Sequence, residues 1–253
     1  MGGQGGGVLT GWVVKLAEDA GWVAQSTSVP GVAQRTGATI YYVEMMRAQD
    51  GRKPILAQMP TPGDVDVVLA SEFMEAGRSI LRGIVTPGRT TLIASDHRSL
   101  AISEKSAPGL GIADSSAVID AIGVAARQEI IFDMNALAIE NGSVISSAMF
   151  GALAGSGALP FPREAYHAVI GTGGKGAAAS LRAFGAAFER TIALAQPAIA
   201  EPLAPAPKSE AALPHFRDHR LVALSRRIDA LELPRPAAEM ALLGLAKVVD
   251  FQD

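Results

Sequence analysis

Gly2-Gly3-Gln4-Gly5-Gly6-Gly7, running without a break into Val8-Leu9-Thr10-Gly11-Trp12-Val13-Val14-Lys15-Leu16-Ala17, decides how the rest of the chain is read. Five glycines in six positions let the backbone turn tightly and lie close to a ligand, because no Cβ stands in the way. The apolar residues at 8/9, 12/13 and 16/17 form the inner stripe of a helix. A glycine loop that opens a helix offers unpaired N–H groups at the positive end of the helix dipole, a ready place for phosphate or pyrophosphate. Such a run also fits a disordered start or an expression scar. The helix that follows directly argues against the scar.

Downstream of that helix, which ends near Gly21, Trp22-Val23-Ala24-Gln25-Ser26 reads as a short strand and Val29-Pro30-Gly31 as a turn. Gly31-Val32-Ala33-Gln34-Arg35-Thr36-Gly37 is a second glycine-bounded loop, and Ala38–Met45, rich in β-branched and aromatic residues, is a strand. Val65–Ala70 and Thr90–Ser95 read as buried strands. The first leads into a helix with Ser71 as its N-cap and Gly83 just past its end. A helix over Ser116–Ala126 and a strand over Glu129–Asp133 continue the alternation. Short strands alternating with helices predict a three-layer, doubly wound α/β domain with a mainly parallel, Rossmann-like sheet.

Residues 142–162 carry no charge, but glycines and prolines interrupt them, so they read as a buried helix ending near Gly157 rather than a membrane span. Lys175–Leu194 is amphipathic, with Leu181, Phe184, Phe188 and Ile192 along one side. Residues 196–214 are dense in Pro and Ala and read as a semi-rigid linker. Beyond it, Leu221, Leu224, Ile228 and Leu231 keep helical spacing and a second helix runs after Pro236, making residues 215–253 a C-terminal helical appendage.

Composition narrows the function. The 253 residues are 49% hydrophobic and 19% charged, with a mean hydropathy of +0.25, which points to surface buried against a partner chain. A net charge of −3 and no Lys/Arg run longer than two argue against nucleic acid as a partner. No membrane partner is expected. The chain has no cysteine, which excludes disulfides and cysteine-ligated iron–sulfur clusters within it. No signal peptide precedes the glycine loop, so the expected location is cytoplasmic.

A nicotinamide or flavin Rossmann enzyme fits poorly. Val8 stands where the third glycine after Gly3 and Gly5 belongs, and Gln25 and Ser26 occupy the place of the ribose-binding acid. Gly171-Thr172-Gly173-Gly174-Lys175-Gly176 lacks the Ser or Thr a P-loop needs after its lysine and reads as a helix entry turn. His215 and His219 have metal-ligand spacing but no accompanying glutamate, and no nucleophile motif flanks His97 or His167. Arg35 lies where ligands sit in a parallel α/β layout. Its guanidinium is either a bidentate phosphate clamp or an exposed loop cation.

The glycine loop, followed after one strand by Gly31–Gly37 and another strand, resembles the γ-type domain of 2-oxoacid:ferredoxin oxidoreductases. The spelling Ser26-Thr27-Ser28-Val29-Pro30-Gly31-Val32-Ala33-Gln34-Arg35 is most similar to the β subunit of indolepyruvate:ferredoxin oxidoreductase. The resemblance covers about residues 1–195, and the tail is similar to the start of an extension in longer members.

It implies a subunit of an enzyme that decarboxylates a 2-oxoacid on thiamine diphosphate and Mg²⁺, passes electrons through [4Fe–4S] clusters to ferredoxin, and transfers the acyl group to coenzyme A. The thiamine diphosphate, Mg²⁺ and clusters are expected on a larger catalytic partner, this chain helping to bind coenzyme A. Carried over residue by residue, the coenzyme A contacts are Gly3, Gln4, Gly5 and Gly6 of the first loop and Arg35 of the second. Ser95 and Ser146 replace the family's asparagines. Family members also have a strand before the glycine loop, so Met1 is expected to be an internal methionine of a longer natural chain.

Overall fold

The computed structural model describes residues 5–29, 39–48, 52–99, 115–172, 174–195 and 219–231, together with 238, 241, 242, 244 and 245. The chain divides into two units, residues 1–198 and 199–253. The first opens on helix α1, Gly6–Asp19, which buries Leu9, Val13, Leu16 and Ala17 along the stripe its sequence predicts. The Gly21 N–H closes its end by donating to Glu18 O.

Strands β1 (Val23–Val29) and β2 (Ile40–Met46) follow as an antiparallel hairpin, registered from Val23↔Met46 to Val29↔Ile40. Strand identity matches the sequence reading, but the pair forms its own two-stranded sheet. The chain between the strands is too short for the crossover of about a dozen residues that parallel pairing needs.

The parallel sheet is built from β3 (Val67–Ala70), β4 (Thr91–Ser95) and β5 (Gln128–Phe132), with β4 in the middle. Successive side chains of β4 point to opposite faces, which splits the apolar interior in two. Leu92 and Ala94 join Phe73 and Ala76 of α2 (Phe73–Leu81) and Val118 and Ile122 of α3 (Ser116–Ala125). Ile93 joins Ile130, Phe132 and the opposite helix layer, where Val43 and Met45 of β2 also pack. The result is the three-layer α/β architecture expected from the alternation. The cap of α2 falls one residue later than Ser71, at Glu72, whose carboxylate accepts from Met74 N at 2.9 Å.

The opposite layer comprises α1, α4 (Met134–Glu140), α5 (Ile145–Gly155), α6 (Arg163–Gly171) and α7 (Ala177–Ala195). Helix α5 is the charge-free segment, buried from Ile145 to Leu153. A Cβ on Gly151 would stand 2.2 Å from the Phe184 carbonyl oxygen of α7, so the two backbones touch where Gly151 has no side chain. Phe150, Tyr166 and Phe184 pack ring against ring across α5, α6 and α7. The glycine-rich turn at Gly174–Gly176 leads into α7, as its sequence predicts. Among the described residues no single helix is long and apolar enough to cross a membrane.

In the second unit, α8 spans His219–Asp229, and helical residues recur between 238 and 245. The Pro/Ala-rich segment 196–214 and His215 lie outside the described residues.

Candidate functional site

Gly3 and Gln4 lie outside the described residues, and the site begins at Gly5, the N-cap of α1, with φ 73° and ψ 15°. A side chain in that left-handed region costs roughly 1–2 kcal/mol. No side chain caps α1, and its first turn contains no acidic residue. Its leading N–H groups therefore have neither an intrahelical nor a side-chain acceptor. The Tyr41 ring of β2 packs against the loop, since a Cβ on Gly6 would be 2.7 Å from Tyr41 Cε2. Tyr41 pairs with Ser28 near the connected end of the hairpin, next to Val29 and Ile40. Arg35 lies outside the described residues, in the segment that joins these two strand ends.

Ser146 reaches the same corner from the other side. It is the second residue of α5, 1% exposed, and its Oγ has no hydrogen-bond partner among the described residues. A Cβ on Gly5 would stand 2.9 Å from that oxygen. Leaving a buried hydroxyl unsatisfied costs about 1–3 kcal/mol. Helix α5 likewise has no side-chain cap and no acid in its first turn, its N-cap being Val144. The N-termini of a 14-residue and an 11-residue helix thus meet at Gly5 and Ser146. Ser147, one residue on, is satisfied: its Oγ lies 3.0 Å from Ser143 Oγ, which in turn lies 3.3 Å from Ser180 Oγ.

Ser95 has its partners within the fold. At the carboxyl end of β4 it is fully buried, and its Oγ accepts from Met134 N at 3.0 Å and lies 2.8 Å from His97 Nδ1. If the hydroxyl donates to Nδ1, the ring proton lies on Nε2 and the one O–H of Ser95 is taken within the fold. The residues after Ser95 are clamped as well: His97 O accepts from Phe73 N, and buried Glu72 accepts from Ser99 N and pairs with Arg98 Nε at 3.4 Å.

Sequence reasoning set His97 aside for want of a nucleophile motif and missed Glu72. The signal that points to them is position, since both directly follow the carboxyl ends of parallel strands, where open α/β sheets bind ligands. A shallow groove of about 210 Å³ runs beside the glycine loop between α1 and the hairpin, lined by Thr10, Ser26, Thr27, Ser28 and Tyr41. Its lining carries hydroxyls and no charge.

A family model described as pyruvate ferredoxin/flavodoxin oxidoreductase matches residues 1–190. No curated protein matches the chain. Among solved structures, the pyruvate oxidoreductase subunit PORC of Thermotoga maritima has a similar fold. Its TM-score is 0.50 and its identity 20%, over 74% of this chain and 90% of its own. Two further likenesses have TM-scores of 0.48. One is to the gamma subunit of keto/oxoacid ferredoxin oxidoreductase from Geobacter sulfurreducens, at 18% identity over 76% of this chain and 95% of that one. The other is to 2-oxoglutarate:ferredoxin oxidoreductase from Magnetococcus marinus, solved with 2-oxoglutarate, coenzyme A and succinyl-CoA, at 15% identity over 76% of this chain and 30% of that one.

Proposed function

The chain belongs to the pyruvate ferredoxin/flavodoxin oxidoreductase family, and on that footing we propose that it is the γ-type subunit of a 2-oxoacid:ferredoxin oxidoreductase acting on indolepyruvate or related arylpyruvates. The complex converts the 2-oxoacid and coenzyme A to an acyl-CoA and carbon dioxide while two electrons leave for ferredoxin. Thiamine diphosphate, Mg²⁺ and the [4Fe–4S] clusters belong to a larger partner subunit, in keeping with the absence of cysteine from these 253 residues. The arylpyruvate preference rests on the spelling of residues 26–35. Residues 1–195 act as the family domain, 196–214 as a linker and 215–253 as an appendage, in the cytoplasm.

This chain's own contribution is to hold coenzyme A by its phosphates. N–H groups of Gly3, Gln4, Gly5 and Gly6 face the pyrophosphate and the Arg35 guanidinium takes a phosphate, while Ser95 and Ser146 line the site, Ser95 by way of His97. The observation that carries the reading is the Tyr41–Gly6 contact. It sets the end of the hairpin against the glycine loop, so the segment holding Arg35 starts and finishes beside α1's uncapped N-terminus.

In the reconstituted complex, Arg35→Ala is expected to raise KM for coenzyme A about tenfold, the loss of one charge-assisted phosphate contact, with kcat unchanged. An unchanged KM means the chain is architectural and makes no ligand contact.

A further inference from the structure

Just past the end of β4 stands a histidine whose neutral ring is held in one form. Ser95 is fully buried, and its Oγ has two neighbours, Met134 N at 3.0 Å and His97 Nδ1 at 2.8 Å. A backbone amide only donates, so Met134 takes a lone pair of the hydroxyl and gives its proton nowhere to go. Among the described residues that leaves Nδ1 as the acceptor for the Ser95 O–H. A nitrogen that accepts carries no proton, and the neutral ring then carries it on Nε2. The reverse tautomer points two donors at Oγ and orphans a buried O–H, which disfavours it about tenfold or more.

The nitrogen His97 presents is therefore a donor. Its Nε2 is neither paired nor enclosed among the described residues, whereas the same nitrogen of His167 is buried. The backbone around it is fixed on both sides. Asp96 N donates to Phe132 O, Phe73 N to His97 O, and Ser99 N to the buried Glu72 carboxylate, each at 3.3 Å. Arg98 Nη1 reaches Ser115 Oγ at the start of α3, also at 3.3 Å. The ring is thus immobilised at the carboxyl edge of the parallel sheet, where open α/β sheets take their ligands. A donor held this way needs no further ordering when an acceptor arrives.

From this we infer that His97 is a ligand-positioning residue, which donates from Nε2 to an acceptor oxygen of coenzyme A and does not act as a base toward its thiol. A base needs a lone pair on the nitrogen it presents, and here that nitrogen carries the proton. The identity of the ligand rests on the coenzyme A reading above. The tautomer does not.

Two measurements test this. In ¹⁵N NMR of the full chain at pH 8, with His97 assigned by loss of its signals in His97→Asn, Nδ1 is expected at the shift of an unprotonated nitrogen and Nε2 at that of a protonated one. Ser95→Ala is expected to give a mixture of tautomers, and the wild-type spectrum decides the point even if that variant does not fold. In kinetics of the reconstituted complex, His97→Asn is expected to raise KM for coenzyme A about tenfold while kcat moves less than about twofold. Glutamine places an amide N–H near the position of Nε2, so His97→Gln is expected to recover most of that loss, with KM raised no more than about threefold.

The inference is overturned if wild-type His97 carries its proton on Nδ1, if a folded Ser95→Ala keeps the wild-type tautomer, or if neither His97 variant moves KM. It is overturned equally if kcat falls about tenfold or more in both variants, the mark of a base. Its fate is separable from that of the coenzyme A reading. KM raised by Arg35→Ala and not by His97→Asn keeps coenzyme A on this chain and removes His97 from the contact. KM raised by His97→Asn and not by Arg35→Ala keeps His97 as the donor and takes the phosphate clamp away from Arg35.

Discussion

Replacing Gly151 with alanine tests the packing that holds the site's second helix in place. The added methyl carbon would lie 2.2 Å from Phe184 O and 2.9 Å from Phe184 C and Cα, all backbone atoms of α7. Ordinary contact begins near 3.4 Å, so α5 must retreat by more than 1 Å or tilt. Neither is easy, because Phe150, Ala152, Leu153 and Phe184 are all buried in the same interface and lose contact as the helices part. Overpacking of this kind costs about 1–3 kcal/mol, and backbone as the obstacle puts it at the upper end. Alanine's better helix propensity returns about 1 kcal/mol. The net loss is about 2 kcal/mol, or a Tm lower by about 4–8 °C for a domain of this size.

Gly123→Ala is the matched control. It makes the same chemical change inside α3 with nothing within 4 Å, and gains about 0.5–1 kcal/mol. Thermal and urea melts of the two variants should move in opposite directions. A Gly151→Ala protein as stable as wild type, or two shifts of the same sign, refutes the backbone contact.

Two other substitutions probe buried polar groups. Glu72→Gln removes the charge that accepts Met74 N and Ser99 N and faces Arg98, and should lower stability by about 2–4 kcal/mol in urea melts; a loss under about 0.5 kcal/mol would mean the carboxylate clamps nothing. Burial raises the Tyr166 phenol above its ordinary 10.0, so above pH 10 the unfolded chain loses a proton that the folded one keeps. Stability should then fall with rising pH, by up to about 1.4 kcal/mol per pH unit from this group. Tyr166→Phe, which deletes a hydroxyl with no protein partner, should remove that share of the alkaline loss and be at least as stable at pH 8; equal alkaline losses in both proteins would exclude Tyr166 as the cause.

The parts of the fold legible in the sequence are those where one local force dominates. The stripe from Leu9 to Ala17 and the charge-free run through Phe150 each encode burial directly, and both became helices on the core side of the sheet. The hairpin shows where local force runs out. Alternation and β-branched residues mark β1 and β2 as strands, but strand direction is set by which partner the turn brings back, and a period of two contains no such information. Helices α4 and α6 are seven and nine residues long, too short for periodicity to separate them from loop. Their signals are at the ends: Asp133, whose carboxylate accepts from Ala136 N, and Pro162 ahead of Arg163-Glu164.

The site divides along the same line. A glycine-rich turn opening a helix is a local property, so the anion-binding character of Gly5–Gly7 is visible in the sequence. What sets it against a particular neighbour is the meeting of Gly5 with Ser146, residues from helices with no sequence proximity, and no spacing rule reports such a contact. The resemblance to relatives names Ser95 and Ser146 together, yet their surroundings differ in kind. Ser95 Oγ has its bonds from Met134 and His97 within the fold, whereas Ser146 Oγ has none. A hydroxyl whose O–H is already donated can donate to a ligand only by giving up that bond, or can act through its neighbour. One without a partner has only a ligand to gain. Of the two serines, Ser146 is therefore the one whose removal should register in ligand affinity, and Ser95 the one whose removal should register first in the orientation of His97.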